Sequence, residues 1–383
     1  MNMGKNGIYL DNAATTQIDK SVLTEMRLVQ GRYFGNASSL HRLGVDSARH
    51  IEKSRFTIAR AINADWEEVI FTSGGTESNN FALKGLAFAN KRKQDHLITS
   101  KIEHPSVIEP ARWLRKRGFR VTFLDIDNNG FVDPQDIRKA ITKKTLLVSV
   151  MYANNEVGTI EPIEEIGRIC RDRGVLFHTD ACQAFLKEKI DVRMLNIDLA
   201  TLNAHKIHGP KGAGALYVRK GIRIDSLLHG GVQERNMRAG TYNTESIVGF
   251  AKAVEITDNI DAIRMRELRN YCLNKIRRDI DDVVINGPEK ERLCNNINIS
   301  FNGVLGKDLM AGLSRKNIFI STGSACTSDN LTPSHVLTAM GISPQTALGA
   351  IRISLSKWTS HKEIDVLIDN LKKLIRRERL KKP

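Results

Sequence analysis

The sequence lacks several features that define whole classes of proteins. It has no run approaching the roughly 20 apolar residues of a transmembrane helix, no C-x-x-C pair and no linker rich in proline, glycine or serine. Its five cysteines are odd in number and widely separated. These absences argue against a membrane protein, a zinc ribbon and a disulfide framework. The first residues also lack the apolar stretch of a secretory signal peptide, so we expect a cytoplasmic protein.

The composition is that of an ordinary globular protein with a basic excess. The 383 residues are 41% hydrophobic and 26% charged, and Lys and Arg exceed Asp and Glu by 58 to 43. A basic excess of this kind can favour binding to nucleic acid, to a membrane surface or to an acidic protein. Outside the basic stretch 371–383 the charge is dispersed, and it is not interleaved with aromatic residues. We therefore expect neither a membrane partner nor a stable nucleic-acid complex.

Short apolar stretches alternate with helical patterns over the first two thirds of the chain. This alternation predicts an α/β domain with a mostly parallel sheet. From about residue 259 a long charged helix over 260–280 and shorter elements indicate a smaller α+β domain. The predicted strands are Val69–Thr72, Leu97–Ser100, Val121–Leu124, Leu146–Met151, Leu176–Thr179, Leu199–Leu202 and Gly214–Val218.

Three motifs at predicted strand ends could hold a phosphorylated cofactor. Gly74-Gly75-Thr76 offers free main-chain N–H groups to a phosphate, or is an ordinary turn with a threonine cap. Lys206, between His205 and a Gly-Pro turn, is either a Schiff-base lysine or one more surface lysine. Asp180 is either the partner of a pyridinium nitrogen or a turn residue. Each motif is weak when taken alone.

The cysteines fall into two groups. Cys170 shares a helical face with three isoleucines, and we expect it and Cys182, Cys272 and Cys294 to be buried apolar residues. Cys326 instead lies in a run of small polar residues, Ser321–Asn330, which is typical of an exposed loop. An exposed free thiol is reactive, so we predict a functional role for Cys326.

Taken in order, these motifs resemble the cysteine desulfurases of the NifS/IscS type, which are pyridoxal-phosphate enzymes of the aminotransferase class V family. The likeness runs almost from end to end of the chain. The loop around Cys326 is similar to that of the group with a long, mobile cysteine loop. The segments that carry the resemblance are 9–16, 35–41, 72–80, 103–104, 154–158, 178–183, 204–212, 238–241, 323–328 and 351–354.

The resemblance implies a fold and a cofactor. The fold would be fold-type I, an α/β architecture with a mostly parallel seven-stranded sheet in a large domain, 17–258. A small domain, 1–16 and 259–383, would carry the cysteine loop at about 322–334. Pyridoxal 5'-phosphate would be bound to Lys206 as a Schiff base.

The resemblance also implies a role for each site residue. His104 would stack on the cofactor ring and move protons, and Asp180 would pair with the ring nitrogen. The cofactor phosphate would be held by Gly75, Thr76, Asn203 and His205, and by Thr241 from the neighbouring subunit of a homodimer. The other assignments are Gln183 to the phenolate oxygen, Asn155 to cofactor and substrate, Arg352 to the substrate carboxylate, and Lys206 and Cys326 to catalysis.

The implied function is the conversion of L-cysteine to L-alanine, with the sulfur passed as a Cys326 persulfide to an iron–sulfur scaffold or another acceptor. No intrinsic metal is expected, although Cys326 could share a two-iron, two-sulfur cluster transiently with a scaffold. Position 203 departs from the family pattern, which has Ser or Thr there. The alternatives that stay open are an aminotransferase, a selenocysteine lyase, a sulfur donor for tRNA thiolation and, remotely, a nucleic-acid-binding protein.

Overall fold

The structure is a computed structural model, and it describes residues 7–91, 94–322 and 332–380. Cys326 and most of the predicted cysteine loop lie outside these ranges. No helix within them is long and apolar enough to cross a membrane. The strands are β1 (Ile8–Tyr9), β2 (Val69–Thr72), β3 (His96–Ser100), β4 (Arg120–Leu124), β5 (Thr145–Ser149), β6 (Leu176–Asp180), β7 (Leu199–Asn203), β8 (Gly214–Val218), β9 (Val283–Ile285), β10 (Asn296–Phe301), β11 (Ile318–Phe319) and β12 (Ala350–Ser354).

The helices lie mainly between these strands. They are α1 (Lys20–Arg32), α2 (Arg42–Ala61), α3 (Gly75–Asn80), α4 (Leu86–Asn90), α5 (Pro105–Arg115), α6 (Pro134–Ala140), α7 (Ile163–Arg173), α8 (Thr244–Glu255), α9 (Asn259–Asp279), α10 (Gly306–Ser314), α11 (His335–Ala339), α12 (Pro344–Leu348) and α13 (His361–Leu380). A π-helical turn, Phe81–Gly85, joins α3 to α4, so this stretch is helical with an irregular middle.

A seven-stranded sheet in the order β2-β8-β7-β6-β5-β3-β4 forms the centre of the larger part. Within the sheet β8 runs antiparallel to both of its neighbours, and the other pairs are parallel. Every predicted strand is in this sheet, so the prediction of a mostly parallel sheet is confirmed. The strands β3, β5, β7 and β8 are buried along their whole length, as expected when helices cover both faces of a sheet.

A second apolar cluster lies in the C-terminal part of the chain. The strands β12, β10 and β9 form an antiparallel sheet, and β1 pairs in parallel with β11. Leu371 and Ile375 of α13 are buried in this cluster, so the last helix packs on this part. The N-terminal strand thus joins the C-terminal elements. The division into domains at 17–258 stays a prediction.

The topology determines where functional side chains can meet. All strands of the large sheet except β8 run in the same direction, so their carboxyl ends share one edge. Ligands in open α/β sheets bind at that edge. Gly75, His104, Asn155 and Lys206 follow β2, β3, β5 and β7, respectively, and Asp180 is the last residue of β6.

Candidate active site

A cavity of about 730 Å³ lies at the carboxyl edge of the large sheet. Most of the predicted site residues line it, although they are spread over much of the sequence. They are Gly75, Thr76, His104, Asn155, Asp180, Gln183, Asn203, His205, Lys206 and Arg352. Thr241 is not among them, because it lines a different pocket with Tyr33 and Asn36. Cys326 lies outside the described residues.

Lys206 presents its amine to this cavity from the turn after β7. Its Nζ donates hydrogen bonds to the main-chain oxygens of Ala13 and Ala14, the latter at 2.6 Å. Burial lowers the pKa of Lys206 to about 8, with a further contribution from the nearby Arg352 guanidinium. A substantial neutral fraction near neutral pH is what a lysine needs in order to react with a carbonyl group.

Asp180 stands at the end of β6 and is held rigidly. Its Oδ2 accepts a hydrogen bond from Asn79 Nδ2 at 2.7 Å, and its Oδ1 accepts one from the main-chain N–H of Cys182 at 3.0 Å. The residue is only 6% exposed and lines the cavity. An anchored carboxylate in such a place can hold a cationic ring nitrogen. No sequence motif indicated this role for Asn79, because it lies inside a helical pattern.

His104 caps the beginning of α5, and its ring opens onto the cavity. Its Nδ1 accepts a hydrogen bond from the main-chain N–H of Ser106 at 3.1 Å and lies 2.7 Å from the Ser106 hydroxyl oxygen. Because Nδ1 is an acceptor, the neutral ring carries its proton on Nε2. Burial lowers the pKa of His104, an effect that Asp180 opposes. The ring can therefore exchange a proton at Nε2.

The predicted phosphate cradle is tightly packed. A Cβ on Gly75 would come within 2.7 Å of the Cys182 sulfur, so this position accepts only glycine without rearrangement. Asn203 is 3% exposed, and its Oδ1 has no partner among the described residues. His205 Nδ1 lies 3.2 Å from the Thr15 hydroxyl. An orphaned buried amide beside a glycine indicates that the cavity is shaped for a polar group.

Arg352, in β12, also lines the active-site cavity. Its Nη2 donates to Asp11 Oδ1 at 2.8 Å, its Nη1 donates to the main-chain oxygen of Asn155 at 3.1 Å, and its Nε has no partner within the described ranges. Nearby, Gln183 Nε2 donates to the main-chain oxygen of Ala13 at 3.0 Å. The N-terminal segment thus orients Lys206, Gln183 and Arg352 together. The sequence motifs suggested no such role for Asp11 or Ala13.

Comparisons with known proteins assign the chain to a family. A family model described as aminotransferase class-V matches residues 8–367. The chain belongs to the class-V aminotransferase family. A protein named Cysteine desulfurase IscS from Dictyoglomus turgidum is 46% identical to it over 382 residues, 99% of this chain and 97% of that protein.

Solved structures in this family agree with the assignment. One described as a NifS-like protein has a TM-score of 0.91 at 37% identity and covers 97% of this chain and 100% of its own. Another, described as SspA in complex with cysteine, has a TM-score of 0.83 at 38% identity and covers 92% and 100%. The resemblance to the desulfurase type, the α/β fold and the dependence on pyridoxal phosphate are confirmed.

Four of the five cysteines lie within the described residues, and all four are buried. Cys170, Cys182, Cys272 and Cys294 are buried free thiols, as the sequence predicted. Burial raises the pKa of Cys170 and Cys272 to about 12 and that of Cys294 to about 11, so these thiols stay protonated at neutral pH. Only Cys182 of these four lines the active-site cavity, and burial also raises its pKa.

Proposed function

We propose that this protein is a cysteine desulfurase that converts L-cysteine to L-alanine and transfers the sulfur to Cys326. The observation that carries the proposal is one cavity with three complementary groups. These are the amine of Lys206, the anchored carboxylate of Asp180 and the guanidinium of Arg352. Class-V relatives named as cysteine desulfurases support the choice of substrate.

The residues present fit pyridoxal 5'-phosphate. Lys206 would bind it covalently, Asp180 would hold its ring nitrogen, and Gly75, Thr76, Asn203 and His205 would hold its phosphate. Bound there, the cofactor supplies an electron sink for charge that develops on the substrate carbon atoms. The packing of Gly75 against Cys182, and the orphaned oxygen of Asn203, are the structural support for this fit.

Lys206 and His104 manage the protons of the reaction. The neutral amine of Lys206, with its lowered pKa, accepts a proton from the substrate. His104 Nε2 faces the same cavity and can donate or accept a second proton, because its Nδ1 is fixed by Ser106. Two groups that titrate on either side of neutrality can then work as an acid and a base.

Arg352 binds the carboxylate of the amino-acid substrate. Guanidinium binds carboxylate with two parallel hydrogen bonds, which fixes the orientation of the substrate as well as its position. Asp11 and the main-chain oxygen of Asn155 hold the guanidinium in place from the protein side. Asn155 also lines the cavity, within the region where the substrate would lie.

Cys326 performs the sulfur chemistry. Its thiolate attacks the sulfur of the substrate, the bond between that sulfur and Cβ breaks, and a persulfide forms on Cys326. The three-carbon remainder takes up protons and leaves as alanine, so that no external oxidant or reductant is required. The persulfide is then delivered to an acceptor, for which we favour an iron–sulfur scaffold protein.

A homodimer completes the site in this proposal. Thr241 is exposed and lies away from the cavity of its own chain. Placed in a partner's cavity, its hydroxyl would donate to the phosphate there. Exposed apolar side chains at Phe34, Leu40 and Val232 support burial of this region against a second copy, because such groups are costly to leave in water.

Three variants test the proposal. Cys326→Ser should keep the visible absorption of the bound cofactor, and this absorption should still change when cysteine is added, but neither alanine nor sulfide should form. Lys206→Ala should lose the absorption of the lysine-bound cofactor. Cys294→Ser, which replaces a buried thiol away from the cavity, is the matched control and should remain active. Normal alanine production by Cys326→Ser would refute the proposed division of roles.

A further inference from the structure

Lys187 lies directly behind the active-site lysine. It follows β6, in the same turn as Gln183, and its Nζ donates hydrogen bonds to the main-chain oxygens of Gln183 at 3.0 Å and of Lys206 at 3.3 Å. Among the described residues it forms no ion pair. One ammonium group therefore links the two turns that carry Gln183 and Lys206, and two neutral carbonyl groups leave its charge uncompensated.

Lys187 is half-buried, and the space beside it is too small for a ligand. It lines a cavity of only about 30 Å³ behind Lys206, which is room for little more than water. The ionisable groups that face Lys187 across this space or from the packed elements are Cys182, Glu188, Lys206, His208, Asp258, Asp261, Cys294 and Lys357. None of the carboxylates among them reaches ion-pair distance.

We propose that Lys187 is a positioning residue that places a positive charge on the main chain behind Lys206 and thereby favours the neutral, nucleophilic form of the Lys206 amine. A neighbouring cation is a known way to activate a lysine. The inference deepens the proposed function, since it rests on the assignment of Lys206 as the cofactor-binding lysine.

The charges around Lys206 explain why Lys187 matters. Burial is the largest cause of the lowered pKa of Lys206, followed by Arg352; Lys187 acts in the same direction, while Cys182 and Asp11 oppose it. His104, Asp180 and His205 line the same cavity. Arg352 is already paired with Asp11 and would be neutralised further by the substrate carboxylate. Burial lowers the pKa of Lys187 itself, but within the described ranges its ammonium has no carboxylate partner of this kind, and it lies outside the cavity that the substrate would enter.

The pKa values of two neighbouring histidines are lowered as well. Burial lowers the pKa of His205 and of His208 to about 4, and Lys187 is among the charges that lower each of them further. One cation thus acts on three neighbouring groups. Its hydrogen bond to the Lys206 carbonyl keeps it on the main chain of the residue that it influences.

The test measures the pKa of Lys206 without using activity. The full chain, freed of cofactor, is treated with formaldehyde and a borane reductant over a range of pH, and methylation of Lys206 is followed by peptide mass spectrometry. Only the neutral amine reacts. Lys187→Met should move the midpoint upward by about half a pH unit or more, whereas Lys187→Arg, which keeps the charge, should leave it near the wild-type value. Lys211→Met, at an exposed site near His205, is the control and should cause no shift.

An unchanged midpoint in Lys187→Met would overturn the inference, and so would an equal shift in Lys187→Arg. If circular dichroism shows that the Met variant is unfolded, Lys187→Gln is measured in its place with the same expectation. The outcome is independent of desulfurase activity. If Lys187→Met shifts the methylation midpoint as expected but the wild-type protein does not act on cysteine, the proposed function alone is refuted. If the wild-type protein is active but Lys187→Met leaves the midpoint unchanged, this inference alone is refuted.

Discussion

Arg352 and Asp11 form an ion pair in the wall of the active-site cavity, with Nη2 and Oδ1 2.8 Å apart and a sequence separation of 341 positions. The pair connects β12 to the segment after β1. Arg352 also donates to the main-chain oxygen of Asn155, so one guanidinium joins three distant parts of the chain. Arg352 is only 6% exposed, so contacts with other parts of the protein, and not with solvent, hold its side chain in position.

The first prediction concerns this guanidinium. Arg352→Lys should raise KM for cysteine by roughly tenfold or more, since a single ammonium cannot replace a bidentate contact worth about 1.5–3 kcal/mol. The expected loss is in KM, measured by alanine formation at varied cysteine concentration. Asp11→Asn, which keeps a hydrogen-bond acceptor for Arg352, should raise KM less. An unchanged KM in Arg352→Lys would remove Arg352 from the substrate site.

The second prediction concerns Asn203, the position that departs from the family pattern. Its amide is expected to donate one hydrogen bond to the cofactor phosphate. Asn203→Ser should then change cofactor affinity by only about 1 kcal/mol, because one donor replaces another. Equilibrium dialysis of pyridoxal phosphate against the variant measures this change. A loss of several orders of magnitude would mean that the Asn203 side chain does more than donate a single bond.

The third prediction concerns the pH dependence of stability. Glu103 is fully buried, accepts hydrogen bonds from Ser100 Oγ and the Met151 N–H, and its Oε2 has no partner among the described residues. Burial raises the pKa of Glu103 to about 8, so the folded protein keeps a proton that the unfolded chain releases above a pH of about 4.3. The unfolded state binds fewer protons in this window, so stability falls as pH rises through it.

Glu103→Gln removes this ionisation while keeping the shape of the side chain. The decrease in Tm between about pH 5 and about pH 8 should therefore be smaller in the variant than in the wild type. Differential scanning calorimetry at several pH values measures the difference. Glu267→Gln, at an exposed position on α9, is the control and should leave the slope unchanged. Parallel slopes for Glu103→Gln and the wild type would show that Glu103 is ionised in the folded state.

The fourth prediction concerns the basic C-terminal helix. Arg376 and Arg377 are exposed on α13, whereas Arg379 is half-buried and donates to the main-chain oxygens of Asn302 and Asp281. Arg379 therefore differs from the two exposed arginines, and Lys381 and Lys382 lie outside the described residues.

Neutralising Arg376 and Arg377 with Gln should leave alanine formation with a small-molecule reductant unchanged. Sulfur transfer to an acidic scaffold protein should slow by a few-fold at low salt and lose part of its salt dependence, because charge steering weakens with ionic strength. Arg379→Gln should instead lower Tm, since it removes hydrogen bonds within the fold. A wild-type rate and salt slope in the double variant would identify the tail as an ordinary helix end.

The sequence by itself determined the strands, the family and the main chemical groups. Each strand of the large sheet is a short apolar run between polar turns, and local burial suffices to specify such a run. Lys206 and Gly75 follow two of these strands and Asp180 ends a third, and parallel strands bring their carboxyl ends together. Each of these motifs is ambiguous when taken alone, and it was the resemblance to the family that assigned them to one cofactor site.

Only the tertiary structure decided which groups hold and tune the reactive ones. Asp11 reaches Arg352, Asn79 reaches Asp180, and Lys187 reaches the Lys206 carbonyl through contacts between elements that are distant in sequence. No local pattern marks these residues, because Asp, Asn and Lys at turns and on helices are common everywhere. The pKa of a buried amine depends on all the charges that the fold brings around it, and that sum exists only once the chain is folded.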